Sequence, residues 1–393
     1  MSSPIKTTRR SLPREEFVMG ALLLLVPATL VAAAIHAPPG LQFFLSVGAV
    51  IPLASFIGSA TEALANRLGG KIGGLLNATF GNTPDLLVGI FGVQKGLIPL
   101  VKATLIGALI SNSALIMGIC YIVAGLAYRR PRFKRDEAGH HSVLMMLTFA
   151  ALLFPSLGAL VGGAGRASPA TIQHISVGIA VVLLLAYAAY VVYGIFGLES
   201  LGRQEPEGRE IRTSTGAEEG QGERSWPLPV SLAVLIGATV ALIPVTDILT
   251  GTVTAVTQLL GWTDVFVGII IVANAGNVAE AYAAIRFALR RPGSPEDSPT
   301  GDSGLDLALG IASASSIQIA TFVAPVVVLY SLFAHPMNLV FSPVELAILG
   351  LLVIVFAYIG QDGESNWLEG AQLLALYAMA AIVFFALPVA AFG

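Results

Sequence analysis

The sequence predicts an all-α polytopic membrane protein. It has eleven transmembrane helices, arranged as two inverted five-helix repeats behind an N-terminal helix. Three observations carry this reading. Of the 393 residues, 55% are hydrophobic and only 11% charged, with a mean hydropathy of +0.81; soluble domains carry roughly 25% charged residues. The apolar residues collect in eleven runs, most of them matching the ~20 residues that span a bilayer. With the N-terminus in the cytoplasm, only Lys95, Lys102 and Arg166 fall on the far side. The other 18 of the 21 Lys and Arg are then cytoplasmic, as the positive-inside bias requires.

Residues 1–16 are polar and basic, with Lys6, Arg9, Arg10 and Arg14. The run Phe17–Ile35 is longer than the ~7–15-residue core of a signal peptide and is read as a span. Residues 1–40 therefore form a cytosolic N-terminus and the first helix. Runs near 41–66, 72–94, 98–127, 141–163 and 171–197 make the first repeat, 41–197. The stretch 198–226 has seven Glu against four Arg and is a cytosolic linker. It is either a flexible tether or a segment that gathers or senses cations, although it lacks EF-hand spacing. Runs near 227–249, 262–289, 303–334, 341–360 and 368–391 make the second repeat, 227–393, and put the C-terminus outside. The first repeat starts outside and the second inside, so the two are inverted.

The repeats share a motif. Gly81-Asn82-Thr83-Pro84-Asp85 lies in the second run of the first repeat and Gly276-Asn277-Val278-Ala279-Glu280 in the second run of the other, 195 positions on. The match continues: Leu100–Leu105 parallels Gly304–Leu309, and Ser111-Asn112 aligns with Ser315-Ser316 at an offset of 204. The extra residues fall in the Pro-, Gly- and Ser-rich loop Arg291–Gly304. A carboxylate at membrane depth is costly and therefore rare without a role. Two of them in matching motifs indicate one site near the midplane, between the repeats.

Asp85 and Glu280 balance the two charges of a divalent cation, or can be neutralised by protons instead. A site that takes one or the other is what exchange requires. Ca²⁺ takes roughly 6–8 oxygens, so neutral donors must complete its shell. Asn82, Asn277, Ser111, Ser315, Ser316, Gln318, backbone carbonyls and water are the candidates. The two Asn are equally readable as interhelical hydrogen-bonding residues, and the serines as small packing residues. Pro84 lacks an N–H, which predicts an unpaired carbonyl at Phe80. Glu62, near the cytoplasmic end of the second run, either pairs with Arg67 or gates the ion path and takes part in proton coupling. Asp247, Asp264 and Glu345 are expected at the membrane interface, and Asp306 at a helix N-terminus. Cys120 lies in an apolar run as a packing residue, so no disulfide framework exists. The five His lack metal-ligand spacing, and no basic, aromatic-laced patch points to nucleic acid.

The run Gly58–Asn112 resembles the first α-repeat of Ca²⁺/H⁺ exchangers, the CAX branch of the calcium/cation antiporter superfamily. GNVAEAYAAI and LDLALGIASASSIQIATFVAPVVVL resemble the second. The resemblance implies eleven helices, an acidic linker after the sixth, and alternating access. It implies Ca²⁺ and H⁺ binding at Asp85 and Glu280, with Asn82, Asn277, Ser111, Asn112, Ser315, Ser316 and Gln318 lining the cation path. Three positions depart from the family pattern. Asp85 stands where Glu is usual, Pro84 is added, and Ala281 replaces a His.

The expected activity is secondary active antiport of Ca²⁺ against protons by alternating access, with no enzymatic reaction and no cofactor. The expected partners are inorganic cations and the lipid bilayer, and a homo-oligomer is left open. The expected location is a prokaryotic plasma membrane. The alternatives are a Na⁺-coupled or Mn²⁺/Na⁺-carrying exchanger and a non-transporting membrane sensor. An intramembrane aspartyl protease is disfavoured, because both acids follow Gly-Asn in inverted repeats.

Overall fold

The computed structural model describes residues 14–68, 76, 79–161, 168–196, 226–290 and 303–387. The basic N-terminus, nearly all of the acidic linker and most of the Arg291–Gly304 loop lie outside these residues. The described residues are helical, with no β-strand among them beyond an isolated bridge between Arg132 and Glu364.

A helix falls within each apolar run. In chain order they are α1 (Arg14–Leu22), α2 (Leu25–Ala34), α3 (Pro39–Leu68), α4 (Thr83–Gln94), α5 (Ile98–Tyr128), α6 (Arg135–Val161) and α7 (Pro169–Phe196). There follow α8 (Leu228–Leu260), α9 (Asp264–Gly276), α10 (Val278–Ala288), α11 (Gly304–Ser331), α12 (Pro343–Ile359) and α13 (Trp367–Ala386). Six of them, α3, α5, α7, α8, α11 and α13, contain stretches long and apolar enough to cross a membrane. A seventh crossing results if α9 and α10, bent by 61° at their junction, count as one. The run expected over 227–249 continues as helix to Leu260. Thr250, Thr252 and Thr257 lower the hydropathy there, but their hydroxyls are satisfied by carbonyls three or four residues earlier in the same helix.

Large apolar side chains point outward along the peripheral helices: Val182 and Leu185 on α7, Ile236 and Val240 on α8, Ile354 and Tyr358 on α12, Ile382 on α13. So much exposed apolar surface suits hydrocarbon, not water. The interior divides into two clusters. One runs along α3 and α8 through Leu53, Ile57, Leu242, Val245 and Leu249. The other joins α5, α11 and α12 through Ile106, Leu109, Val323, Val327 and Leu349. Lipid tails are as apolar as these side chains, so close packing must hold the helices together. At one tight crossing, a Cβ on Gly107 of α5 would lie 2.5 Å from the Cα of Ile269 on α9.

Two aligned positions clasp loops of the opposite half. Lys102 donates to Asn338 Oδ1 (2.6 Å) and the Val340 carbonyl (2.7 Å). Asp306 accepts from the backbone N–H of Lys134 (2.7 Å) and closes a capping box with Ser303. Glu345, expected near a helix end, lies in the first turn of α12, where it is buried and closes a capping box with Ser342. Asp247, expected near a helix end, lies within α8 and pairs with Lys95.

Candidate functional site

The two Gly-Asn-x-x-acid motifs fold alike. Asn82 precedes α4 with φ −93°, ψ 18°, and Asn277 separates α9 from α10 with φ −88°, ψ 10°. These bridge-region values interrupt the helix. In both motifs the Asn carbonyl accepts the first bond of the new helix at 3.0 Å, from Leu86 N–H and Ala281 N–H respectively. The acid is then the third residue of a helix whose N-terminal dipole favours an anion. The break thus lies at the Asn. Pro84 sits in the first turn of α4, where its missing N–H has no helical acceptor to lose. The helix starts at Thr83, so Pro84 falls in its first turn and does not interrupt a helix that is already running.

The structure brings part of the expected set together. Asp85 is buried, and a Cβ on Gly276 would stand 3.0 Å from its Oδ1. The first acid therefore rests on the backbone of the second motif. Glu280 lies within electrostatic reach of Asp85. Asn82 Nδ2 donates to Gln318 Oε1 at 2.6 Å, linking the first motif to α11. Ser111 opens a π-helical turn in α5 (Ser111–Ile116) and donates to Asn274 Oδ1 at 2.6 Å. Gln318 immediately precedes the π-helical turn of α11 (Ile319–Val323). Such turns re-aim side chains and recur at functional sites.

The remaining expected residues are buried nearby in sequence. Asn112 and Ser316 have no exposed surface, and Ser315 and Asn277 have little. Ser316 turns its hydroxyl back to the Ala312 carbonyl at 3.0 Å. Glu62 is different: it is exposed on α3, one turn beyond Gly58, and feels the charges of Arg286 and Arg290. Arg67, its expected partner, directs its Nε to the Trp226 carbonyl at 2.8 Å.

Several buried polar atoms in this region have no protein partner: Asn82 Oδ1, both amide atoms of Asn112, Asn277 Nδ2, Glu280 Oε2, and the hydroxyls of Ser313 and Ser315. Leaving such a group unsatisfied costs about 1–3 kcal/mol, so a concentration of them marks a place built for something else to bind. Among the described residues no three His, Cys, Asp or Glu converge. The donors on offer are therefore two carboxylates and a set of neutral oxygens, which suits a hard cation. Asn274 is a participant that the motif comparison missed. It is a polar residue in an apolar run, three positions before Asn277 and so on a neighbouring face of the helix.

Residues 39–196 and 230–386 match the sodium/calcium exchanger protein family. The chain is 35% identical over 364 residues to the Ca(2+)/H(+) antiporter ChaA of Bacillus subtilis (strain 168), covering 92% of this chain and 97% of that protein. It superposes on the structure of native YfkE with a TM-score of 0.76 at 33% identity, over 94% of this chain and 99% of that one. The H+/Ca2+ exchanger CAX shares the fold, with a TM-score of 0.66 at 15% identity over 94% of this chain and 92% of that one.

Proposed function

The chain belongs to the sodium/calcium exchanger protein family, and from that premise we propose that it exchanges Ca²⁺ for protons across a membrane. The observation that carries this reading is the contact between the repeats: Asp85 on the backbone of Gly276, with Glu280 in its field. Two anionic groups held together in a largely dehydrated place repel each other unless a cation or protons intervene. A divalent cation compensates both at once. Protons compensate them one at a time, and the two forms of compensation exclude each other.

In this reading Asp85 and Glu280 carry the ion. Asn82, Asn277, Ser111, Asn112, Ser315, Ser316 and Gln318 contribute neutral oxygens, directly or through water. The likeness to an antiporter named for Ca(2+) and H(+) supports the choice of ions. The eleven helical runs form an N-terminal helix and two inverted five-helix units, 41–197 and 227–393, joined by a cytosolic linker at 198–226. The N-terminus is cytoplasmic and the C-terminus outside, in a prokaryotic plasma membrane.

Alternating access needs two bodies and two mouths. The two apolar clusters supply bodies that can shift past each other. Lys95 and Arg290 end their motif helices at the same repeat offset of 195. Lys95 pairs with Asp247 on α8, the first helix of the opposite unit. Arg290 acts on Glu62 of α3, again the first helix of the opposite unit. An ion pair therefore stands at one mouth and facing opposite charges at the other, the cytoplasmic one, where Glu62 has a gating role.

The test is uptake of radiolabelled Ca²⁺ into proteoliposomes driven by a proton gradient, with Na⁺ and Mn²⁺ as competitors. Proton-driven Ca²⁺ uptake is expected. Uptake driven only by Na⁺, or preferring Mn²⁺, would replace the reading with the other exchangers, and no flux at all would leave a sensor. In the same assay Gly276→Ala should raise the half-saturating Ca²⁺ concentration several-fold. Its methyl group would crowd the Asp85 oxygen, while the helical backbone it joins tolerates Ala.

A further inference from the structure

Most hydroxyls in this interior spend their proton on their own helix. Ser113 donates to the Leu109 carbonyl (2.8 Å), Ser316 to Ala312 (3.0 Å) and Thr321 to Ile317 (2.6 Å), each four residues back. Ser111 does not. It reaches across to α9 and donates to Asn274 Oδ1 at 2.6 Å.

The chemistry of Asn274 leaves no other arrangement. Its Nδ2 donates to the Ile270 carbonyl at 2.8 Å and to the Tyr377 hydroxyl of α13 at 2.6 Å. Rotating the amide by half a turn would set its oxygen against the Ile270 carbonyl, acceptor against acceptor. The orientation is therefore fixed by a backbone group that cannot donate. Asn274 must present an acceptor to Ser111, so Ser111 must be the donor. Its one proton is committed, and its lone pairs can only accept. A hydroxyl in that condition is an oxygen ligand for a cation and useless as a donor to an anion.

We propose that Asn274, held in place by Tyr377, is a positioning residue that makes Ser111 a fixed acceptor for the transported cation and so sets cation affinity. The inference rests on the cation-exchange reading above. It gives α13, the last helix, a part in a site otherwise built from α4, α5, α9, α10 and α11. It also separates Asn274 from the ligands themselves: its own oxygen is occupied by the Ser111 proton.

A double-mutant cycle in proteoliposomes tests this, read as half-saturating Ca²⁺ concentration and maximal velocity. Ser111→Ala and Asn274→Leu should each raise half-saturation about tenfold, the scale of a lost ligand or of a freed hydroxyl. Maximal velocity should fall by less than about twofold, since the site's two charges are intact. Tyr377→Phe, which removes only the hydroxyl, should raise half-saturation about threefold and keeps the test alive if Asn274→Leu does not fold. On a Ser111→Ala background, Asn274→Leu and Tyr377→Phe should add nothing further. Full additivity would mean that Asn274 is merely a helix-packing residue, and would overturn the inference while leaving Ca²⁺ exchange standing. Unchanged half-saturation in Asn274→Leu or Tyr377→Phe would overturn it too. Wild-type vesicles that move no cation would overturn both readings together.

Discussion

Asp85→Asn should abolish Ca²⁺-driven proton movement in reconstituted vesicles, and Glu280→Gln should do the same on its own. Both substitutions keep the shape of the side chain and its capacity for hydrogen bonds, so the protein should purify in normal yield. What they remove is one of the two charges that, in the proposed reading, face a divalent cation in a poorly hydrated place. Loss of one partner from a buried set of charges costs roughly 3–5 kcal/mol, or on the order of 10²–10³ in affinity. Each variant also loses a group that could carry a proton in the return step. Binding and coupling should therefore fail together, and normal transport by either variant would refute a shared site. Asp85 is the stricter case, because it is buried against the second motif, where a Cβ on Gly276 would stand 3.0 Å from its Oδ1.

Gly107→Ala should be among the most damaging conservative changes away from the carboxylates. The new methyl group would lie 2.5 Å from the Ile269 Cα and 2.8 Å from its carbonyl oxygen, both backbone atoms that cannot rotate aside. The same crossing is tight from the other direction, where a Cβ on Gly268 would meet Ala103 at 2.7 Å. Relief requires moving α5 away from α9. Overpacking of this kind costs about 1–3 kcal/mol or more. Here it also separates Ser111, one turn along α5, from Asn274 on α9. A lowered melting temperature in detergent and loss of most transport are expected. Gly178→Ala and Gly237→Ala are the controls, since a methyl group at either position meets nothing within 4 Å. A Gly107→Ala protein as stable as these controls would show that the crossing is looser than described.

Much of this was legible in the sequence because it is written locally. Composition and apolar runs gave an all-helical chain with outward-facing apolar surface. The repeated Gly-Asn-x-x-acid spacing picked out the two carboxylates, and the structure adds a helix break at the Asn of each motif. What was not legible depends on residues far apart in the chain. The partner of Asn82 is 236 positions away at Gln318, and that of Ser111 is 163 away at Asn274. No periodicity encodes such pairs. Pro84 suggested a disrupted helix, because its missing donor is visible in the sequence while the helix start one residue earlier is not. Asp247 read as interfacial because α8 was expected to stop near 249. Glu62 suggested Arg67, the nearest cation in sequence, whereas the fold offers it Arg286 and Arg290.

The central claim is that one ion and a set of protons compete for Asp85 and Glu280. It is tested most directly by titrating the purified wild-type protein with Ca²⁺ in a weakly buffered solution and recording the protons released. The account predicts release that saturates with Ca²⁺ binding, and none from the Asp85→Asn/Glu280→Gln double variant. Ca²⁺ binding that liberates no protons, or undiminished release from the double variant, would contradict it.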